Sequence, residues 1–306
     1  MYALNMQSNL VSASAEPLTL TTFPGIALLK RGKDKDVYDL GDMLFMVATD
    51  RLSAGGKNLG KGIKGKGRII NQLSTHWFRK LRKVFPNHLV SADSSCFPEQ
   101  LKTADENLDG CSMLVWKTTP LPIRCVVRGY LAGAGWREYQ EKGKICGNRL
   151  PPGLVESQRL PAPIFAPTEK GQPGGKNANI EFEALKKLIG STLAEQIRDV
   201  SLRLYFAAWQ SARERGVLIA DTKFEFGLHD GKLMLIDECL TPDTTRFWKL
   251  ERYRSGATMP SMDKQALVDF LDAMADYDEA TLLSEELFCR IGKNYQEAYR
   301  RIITEG

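Results

Sequence analysis

Polar and apolar positions alternate most clearly between Leu218 and Trp248, and the pattern predicts two strands joined by a turn. In LIADTKFEFGL, residues 218–228, Asp221, Lys223 and Glu225 share one face, with Ile219, Thr222, Phe224 and Phe226 on the other. His229, Asp230 and Gly231 form a hairpin turn signal between apolar runs. The return strand, KLMLIDE at 232–238, then brings Asp237 and Glu238 back toward the acidic face of the first strand. Carboxylates gathered this densely repel one another, and a divalent cation with a phosphate ligand relieves that repulsion, since Mg²⁺ takes one or two protein carboxylates. A solvated strand face carrying surface ion pairs is the plainer alternative. Thr241 to Arg246 follow at once with turn chemistry and a guanidinium suited to a carboxylate or phosphate.

Upstream, residues 28–41 and 43–50 read as a hairpin turning at Leu40, Gly41 and Asp42, with Lys33 and Lys35 beside Gly32 as a phosphate-covering turn requires. Residues 51–68 carry six glycines and, after Arg51, five lysines or arginines, which is the composition either of an anion-approaching loop or of a surface loop. Ile69, Leu73, Trp77 and Leu81 have helical spacing, and His76 among them reads as an ordinary helix residue. A short apolar strand at 112–117 ends in TTPLP, which marks a lobe boundary. This gives an N-terminal extension at 1–20, a lobe at 21–117 and a second lobe at 118–306. Residues 123–136 read as a buried strand running into a small-residue turn, in which Arg128 needs an anionic partner. Residues 150–180, with six prolines, read as a long loop lining a site. Helices are expected from 181, from 191 to 216, from 262 to 277 and from about 284 to 303.

At 306 residues and 43% hydrophobic content, the chain can bury a core in two lobes. Its 42 basic and 37 acidic residues give a net charge of +5, which suits small anions better than nucleic acid. The basic 51–68 stretch also lacks the interleaved aromatics of a single-strand binder. Cysteines 96, 111, 125, 146, 239 and 289 have no CxxC spacing, so reduced thiols are expected, with neither zinc nor a disulfide framework. With no signal-like N-terminus and no long apolar run, the expectation is a cytoplasmic protein without a membrane partner.

Five segments in order, GKDKDVY (32–38), TDRLSA (49–54), VVRGYLAG (126–133), DTKFEFG (221–227) and DECLTPDTTRFW (237–248), resemble the SAICAR synthetase family over residues 24 to 300. The resemblance implies an α+β fold: an antiparallel-sheet nucleotide lobe somewhat like that of kinases, a larger α+β lobe, and an ATP cleft between them. It implies an ATP-dependent carboxylate–amine ligase, with ATP and Mg²⁺ as cofactors, a carboxyaminoimidazole ribonucleotide as acceptor and L-aspartate as amine. Lys33 and Lys35 would face the ATP phosphates, and Lys117 would also bind the cofactor. Glu225 and Asp237 would hold Mg²⁺. Ser53, Arg128, Asp243 and Arg246 would lie on the substrate side, and Asp221 and Lys223 would organise the reacting groups. Oligomeric state is left open, a homo-oligomer included.

The chain departs from the family pattern at Gly55 and Gly56, where an Asp is usual; at Arg124 (Glu); at Ala134 (Ser); at Lys176 and Asn177 (His-Asp); and at Met262 (Tyr). Most of these motifs border the substrate pockets, and several shift charge in the positive direction. A diverged paralogue acting on a related heteroaromatic or nucleoside carboxylate is therefore a second reading, and a nucleotide-binding pseudoenzyme is a third.

Overall fold

The computed structural model describes residues 16–54, 57–101, 110–171, 178–265, 267–268 and 284–304. Two compact units emerge. One comprises Met1–Gln72, Leu89–Lys117 and Gln265–Gln296, the other Leu73–His88, Thr118–Lys264 and Glu297–Gly306. Each is therefore discontinuous in the chain, unlike the contiguous lobes drawn from sequence.

The first unit is built on five antiparallel strands in the order β1 (Ala27–Arg31), β2 (Lys35–Asp39), β3 (Met43–Ala48), β7 (Ser112–Trp116) and β6 (Leu89–Ser91). Gly41, at φ +85°, makes the β2–β3 turn and donates its N–H to Asp39 Oδ1 at 2.9 Å. Phe23, Tyr38, Phe45 and Phe97 interlock edge to face beneath the sheet, with centroids about 5 Å apart. The Gly-rich segment is no simple loop, because β4 (Arg51–Ala54) pairs with β5 (Lys57–Gly62). Alternating extended residues on either side of its glycines suffice for a ladder. Buried Arg51 donates to the carbonyls of Thr19, Gly32 and Lys33 and to Asp36 Oδ1, so one guanidinium fastens the turn that carries Lys33. Helix α1 (Lys66–Leu81) begins in this unit, and its later turns belong to the second.

The second unit holds a larger sheet in the order β13 (Ala178–Asn179), β12 (Arg159–Glu169), β9 (Ile123–Tyr130), β14 (Val217–His229) and β15 (Lys232–Ile236). β8 (Thr119–Pro120) and β16 (Thr245–Lys249) also pair with β14. The turn between β14 and β15 is the two-residue Asp230-Gly231, both at positive φ (50° and 72°), the conformation that matches the twist of a tight hairpin. β10 (Lys144–Ile145) and β11 (Asn148–Arg149) form a small separate ribbon.

The expectation of a loop throughout 150–180 is corrected by β12, eleven residues long. Pro161 and Pro163 fall where its pairing with β9 is irregular, and β12 meets β13 only at Thr168 and Glu169. Most of the strand is thus an edge, where a missing N–H costs little. A second correction concerns the small-residue turn after β9, which opens helix α2 (Gly133–Lys142). Two glycines in its first turn hide it from propensity.

Helices α3 (Phe182–Ile189) and α4 (Ser191–Glu214) follow. Ala194, Ile197, Ser201, Leu204, Tyr205, Ala208 and Ala212 form the buried stripe of α4, and Tyr205 Oη donates to Ile219 O at 2.7 Å. That hydroxyl passes over Gly129, where an added Cβ would lie 1.9 Å from it. Gly129→Ala should therefore cost about 1–3 kcal/mol in urea unfolding, and an unchanged midpoint would show that the helix can lift without loss. His76, an internal residue of α1, is pushed down to about 4 by burial and by nearby Lys80 and Arg215, and so it is neutral at physiological pH. The chain closes with α5 (Glu285–Tyr299) and a wide turn at Arg300–Thr304. Of the helix expected at 262–277, residues 265, 267 and 268 are helical and 266 and 269–277 lie outside the described residues. No helix among the described residues is long and apolar enough to cross a membrane.

Candidate active site

Strict alternation would put Ile219 on the same face as Asp221. The register with β16 instead runs Ile219 to Phe247 and Asp221 to Arg246, leaving Ala220 as an extra residue. This bulge resets the alternation, so Ile219 turns to the core while Asp221, Lys223 and Glu225 share the opposite face. β9 contributes Arg128, paired with Asp221 in register, and Arg124 from the same side. The other side of these strands, Cys125, Val127, Thr222 and Phe224, is fully buried.

Asp221 is the centre of one cluster. Its Oδ2 accepts from Arg128 Nη1 at 3.0 Å and from Arg246 Nη1 at 2.9 Å. Arg128 thus finds its anionic partner within the chain. Both guanidiniums pack on the first turn of α2, where a Cβ at Gly133 would come within 2.7 Å of Arg246 and one at Gly135 within 3.1 Å of Arg128. The helix has no side-chain cap at Ala132, so its first N–H groups and two arginines share one corner, an arrangement suited to an anion. Asp263 Oδ2 lies 4.0 Å from Arg246 Nε.

Glu225 is the centre of the other. It is 8% exposed and takes Arg124 Nε at 3.2 Å and Lys223 Nζ at 3.4 Å on Oε1, with Lys170 Nζ at 2.7 Å on Oε2. Burial and the neighbouring charge of Asp237 push its carboxyl up, but Lys223 and Lys170 outweigh them and hold it below the usual carboxylate range. Asp237 lies just past β15 at φ +69°, a left-handed conformation unusual for a residue with a side chain. Asp243 pairs with Lys264 at 3.1 Å, and its backbone N–H donates to Thr241 Oγ1.

Asp221, Lys223, Glu225, Asp237, Arg128, Asp243 and Arg246 all belong to the second unit; Lys33, Lys35, Ser53 and Lys117 belong to the first. There, Ser53 Oγ donates to Asp34 Oδ1 at 2.9 Å and Lys117 Nζ to Asp39 Oδ2 at 2.7 Å. Lys33 is exposed, and Lys35 opens β2 opposite Ala48. Sequence reasoning missed Lys170. Its signal lay in the register of β12, where Thr168 pairs with Arg124, so that a residue two further on faces the same way. Among the altered positions, Arg124 lies on Glu225 and Ala134 in the first turn of α2, Met262 is buried, and Gly55, Gly56, Lys176 and Asn177 lie outside the described residues.

None of the six cysteines is in a disulfide, and burial pushes the thiols of Cys125 and Cys239 well up, so neither serves as a nucleophile. The chemistry of the face is that of carboxylates, guanidiniums and amines.

The family profile described as SAICAR synthetase matches residues 28–282. A phosphoribosylaminoimidazole-succinocarboxamide synthase of Pelobacter propionicus is 46% identical over 291 residues, 94% of this chain and 98% of its own. That of Geobacter sulfurreducens is 45% identical over 295 residues, 95% and 99% of the two chains. The SAICAR synthase of Saccharomyces cerevisiae, solved as a complex with SAICAR, superimposes with a TM-score of 0.80 at 34% identity, covering 93% of this chain and 97% of its own. Fold and relatives together are those of an ATP-dependent carbon–nitrogen ligase. The chain belongs to the SAICAR synthetase family.

Proposed function

We propose that this ligase joins L-aspartate to carboxyaminoimidazole ribonucleotide, with ATP cleaved to ADP and phosphate. The observation that carries the reading is the pair of clusters on one sheet face, Asp221 between two arginines at a helix N-terminus and Glu225 beside Asp237. The names of the relatives give the product, a phosphoribosylaminoimidazole-succinocarboxamide, and an amide between this acceptor's carboxylate and the aspartate amine is that product.

A carboxylate resists amines because it has no leaving group. Transfer of the γ-phosphoryl group to a carboxylate oxygen makes an acyl phosphate; the amine nitrogen then attacks its carbonyl carbon, phosphate departs with the C–O bond electrons, and the nitrogen loses a proton. Arg128, Arg246 and the first turn of α2 take the anionic group of the acceptor. Asp221 accepts the amine proton, and Lys223 balances phosphoryl charge. Ser53 and Asp243 contact substrate. The first unit, through Lys33, Lys35 and Lys117, takes the nucleotide.

Glu225 and Asp237 fit a magnesium ion in donor type and number, two hard carboxylates, one on β14 and one just past its neighbour β15. When bound, Mg²⁺ neutralises phosphoryl charge. The test is to supply ATP, Mg²⁺, the ribonucleotide and aspartate together. Succinocarboxamide product, ADP and phosphate should form in equal amounts at about 1–10³ per second, and only when both substrates are present. Absence of ADP formation with the complete set would refute the reading.

A further inference from the structure

Both oxygens of Glu225 are already covered, Oε1 by Arg124 and Lys223 and Oε2 by Lys170. A divalent ion reaching this carboxylate competes with these cations for its lone pairs and meets their positive charge. Lys170 is tied by a second bond, to Leu121 O at 3.0 Å. Arg124 has the most exposed side chain of the three, at 30% against 26% for Lys223 and 23% for Lys170, and so has the freest path into water. Among the described residues three positive charges pair with Glu225, which disfavours a bare dication there.

We propose that Arg124 is a tethered cation that competes with divalent metal for Glu225, so that the site takes its metal with an anionic nucleotide and holds free metal weakly. The proposal rests on Glu225 and Asp237 being the metal carboxylates. The phosphates of the nucleotide bring the negative charge that offsets Arg124, and the arginine then swings from Glu225 to solvent or to a phosphate oxygen. Loss of the arginine removes one of the positive charges paired with Glu225, and free metal should then bind without nucleotide.

The test is titration of the full chain with Mn²⁺ alone, followed by electron paramagnetic resonance, and again with ADP present. Arg124→Gln should bind Mn²⁺ alone at least tenfold more tightly than wild type, while Arg124→Lys, which keeps the charge and controls for folding, should stay within about threefold of wild type. The double variant Arg124→Gln with Glu225→Gln should lose the gain. Equal affinity of wild type and Arg124→Gln, or a gain that survives in the double variant, would overturn the proposal while leaving the ligase reading intact. Failure of every variant to bind Mn²⁺ even with ADP would instead overturn the metal assignment, and the proposal with it. Product formation from aspartate and the ribonucleotide is measured separately, so failure of the proposed reaction is distinguishable from either result.

Discussion

Asp221→Asn is expected to lower turnover by roughly 10²–10⁴-fold while the protein remains folded. The substitution keeps shape and one carbonyl acceptor, so β14, β9 and β16 should still pair through their backbones. It removes the one negative charge that Arg128 and Arg246 share at 3.0 and 2.9 Å. Two effects then act together. The amine has lost its proton acceptor, which lowers kcat, and the two guanidiniums now repel across a neutral amide, which shifts the anion corner and changes the KM for the ribonucleotide. Steady-state kinetics with each substrate varied separates the two. A variant with wild-type kcat would remove Asp221 from the chemistry and leave it as a structural counter-ion of the arginines.

Glu225→Gln should be nearly as severe for activity, about 10²–10³-fold, and it should also destabilise the fold. An amide in place of Glu225 leaves Arg124, Lys223 and Lys170 facing one another with one negative charge fewer. Because those three side chains are a quarter exposed, solvent screens part of the cost, and about 1–3 kcal/mol is expected at neutral pH, less than for a fully buried broken pair. The pH dependence follows from the depressed pKa of Glu225. Such a group contributes stability that is complete above its unfolded value, near 4.5, and is lost as pH falls through the lower folded value. The gap between wild type and variant in denaturant midpoint should therefore narrow below that pH. A gap of the same size at pH 7 and at pH 3 would show that the carboxylate charge was not the source of the difference.

Residue types and their order carried the site further than periodicity carried the fold. The 218–248 hairpin was legible because Asp230-Gly231 is a strong turn signal and the flanking strands are long and apolar. Strict period two would group Ile219 with Asp221; the reading that set them on opposite faces holds because of the bulge at Ala220, which leaves no mark in a single sequence. The prolines of 150–180 concealed β12 because an edge strand tolerates what an interior one cannot, and edges are a property of the assembled sheet. Lys170 was lost with it. The small residues after β9 concealed α2 for a different reason: their glycines are there to make room for Arg246 and Arg128, a packing requirement that overrides helix propensity. Arg124 stood out as a change of charge, but its partner became visible only once β9 and β14 were in register.

The two ion pairs between β9 and β14 join positions far apart in the chain, 93 residues between Arg128 and Asp221 and 101 between Arg124 and Glu225. Bringing such distant segments together costs loop-closure entropy that no local contact offsets, so these pairs arise after β9 has docked on β14. Within the unfolded chain the same carboxylates sit in water among ordinary neighbours. The depressed pKa of Glu225 is therefore acquired only on folding, and any partial opening that parts β9 from β14 takes one arginine from each cluster at once, Arg128 from Asp221 and Arg124 from Glu225, however much helix and hairpin survive elsewhere.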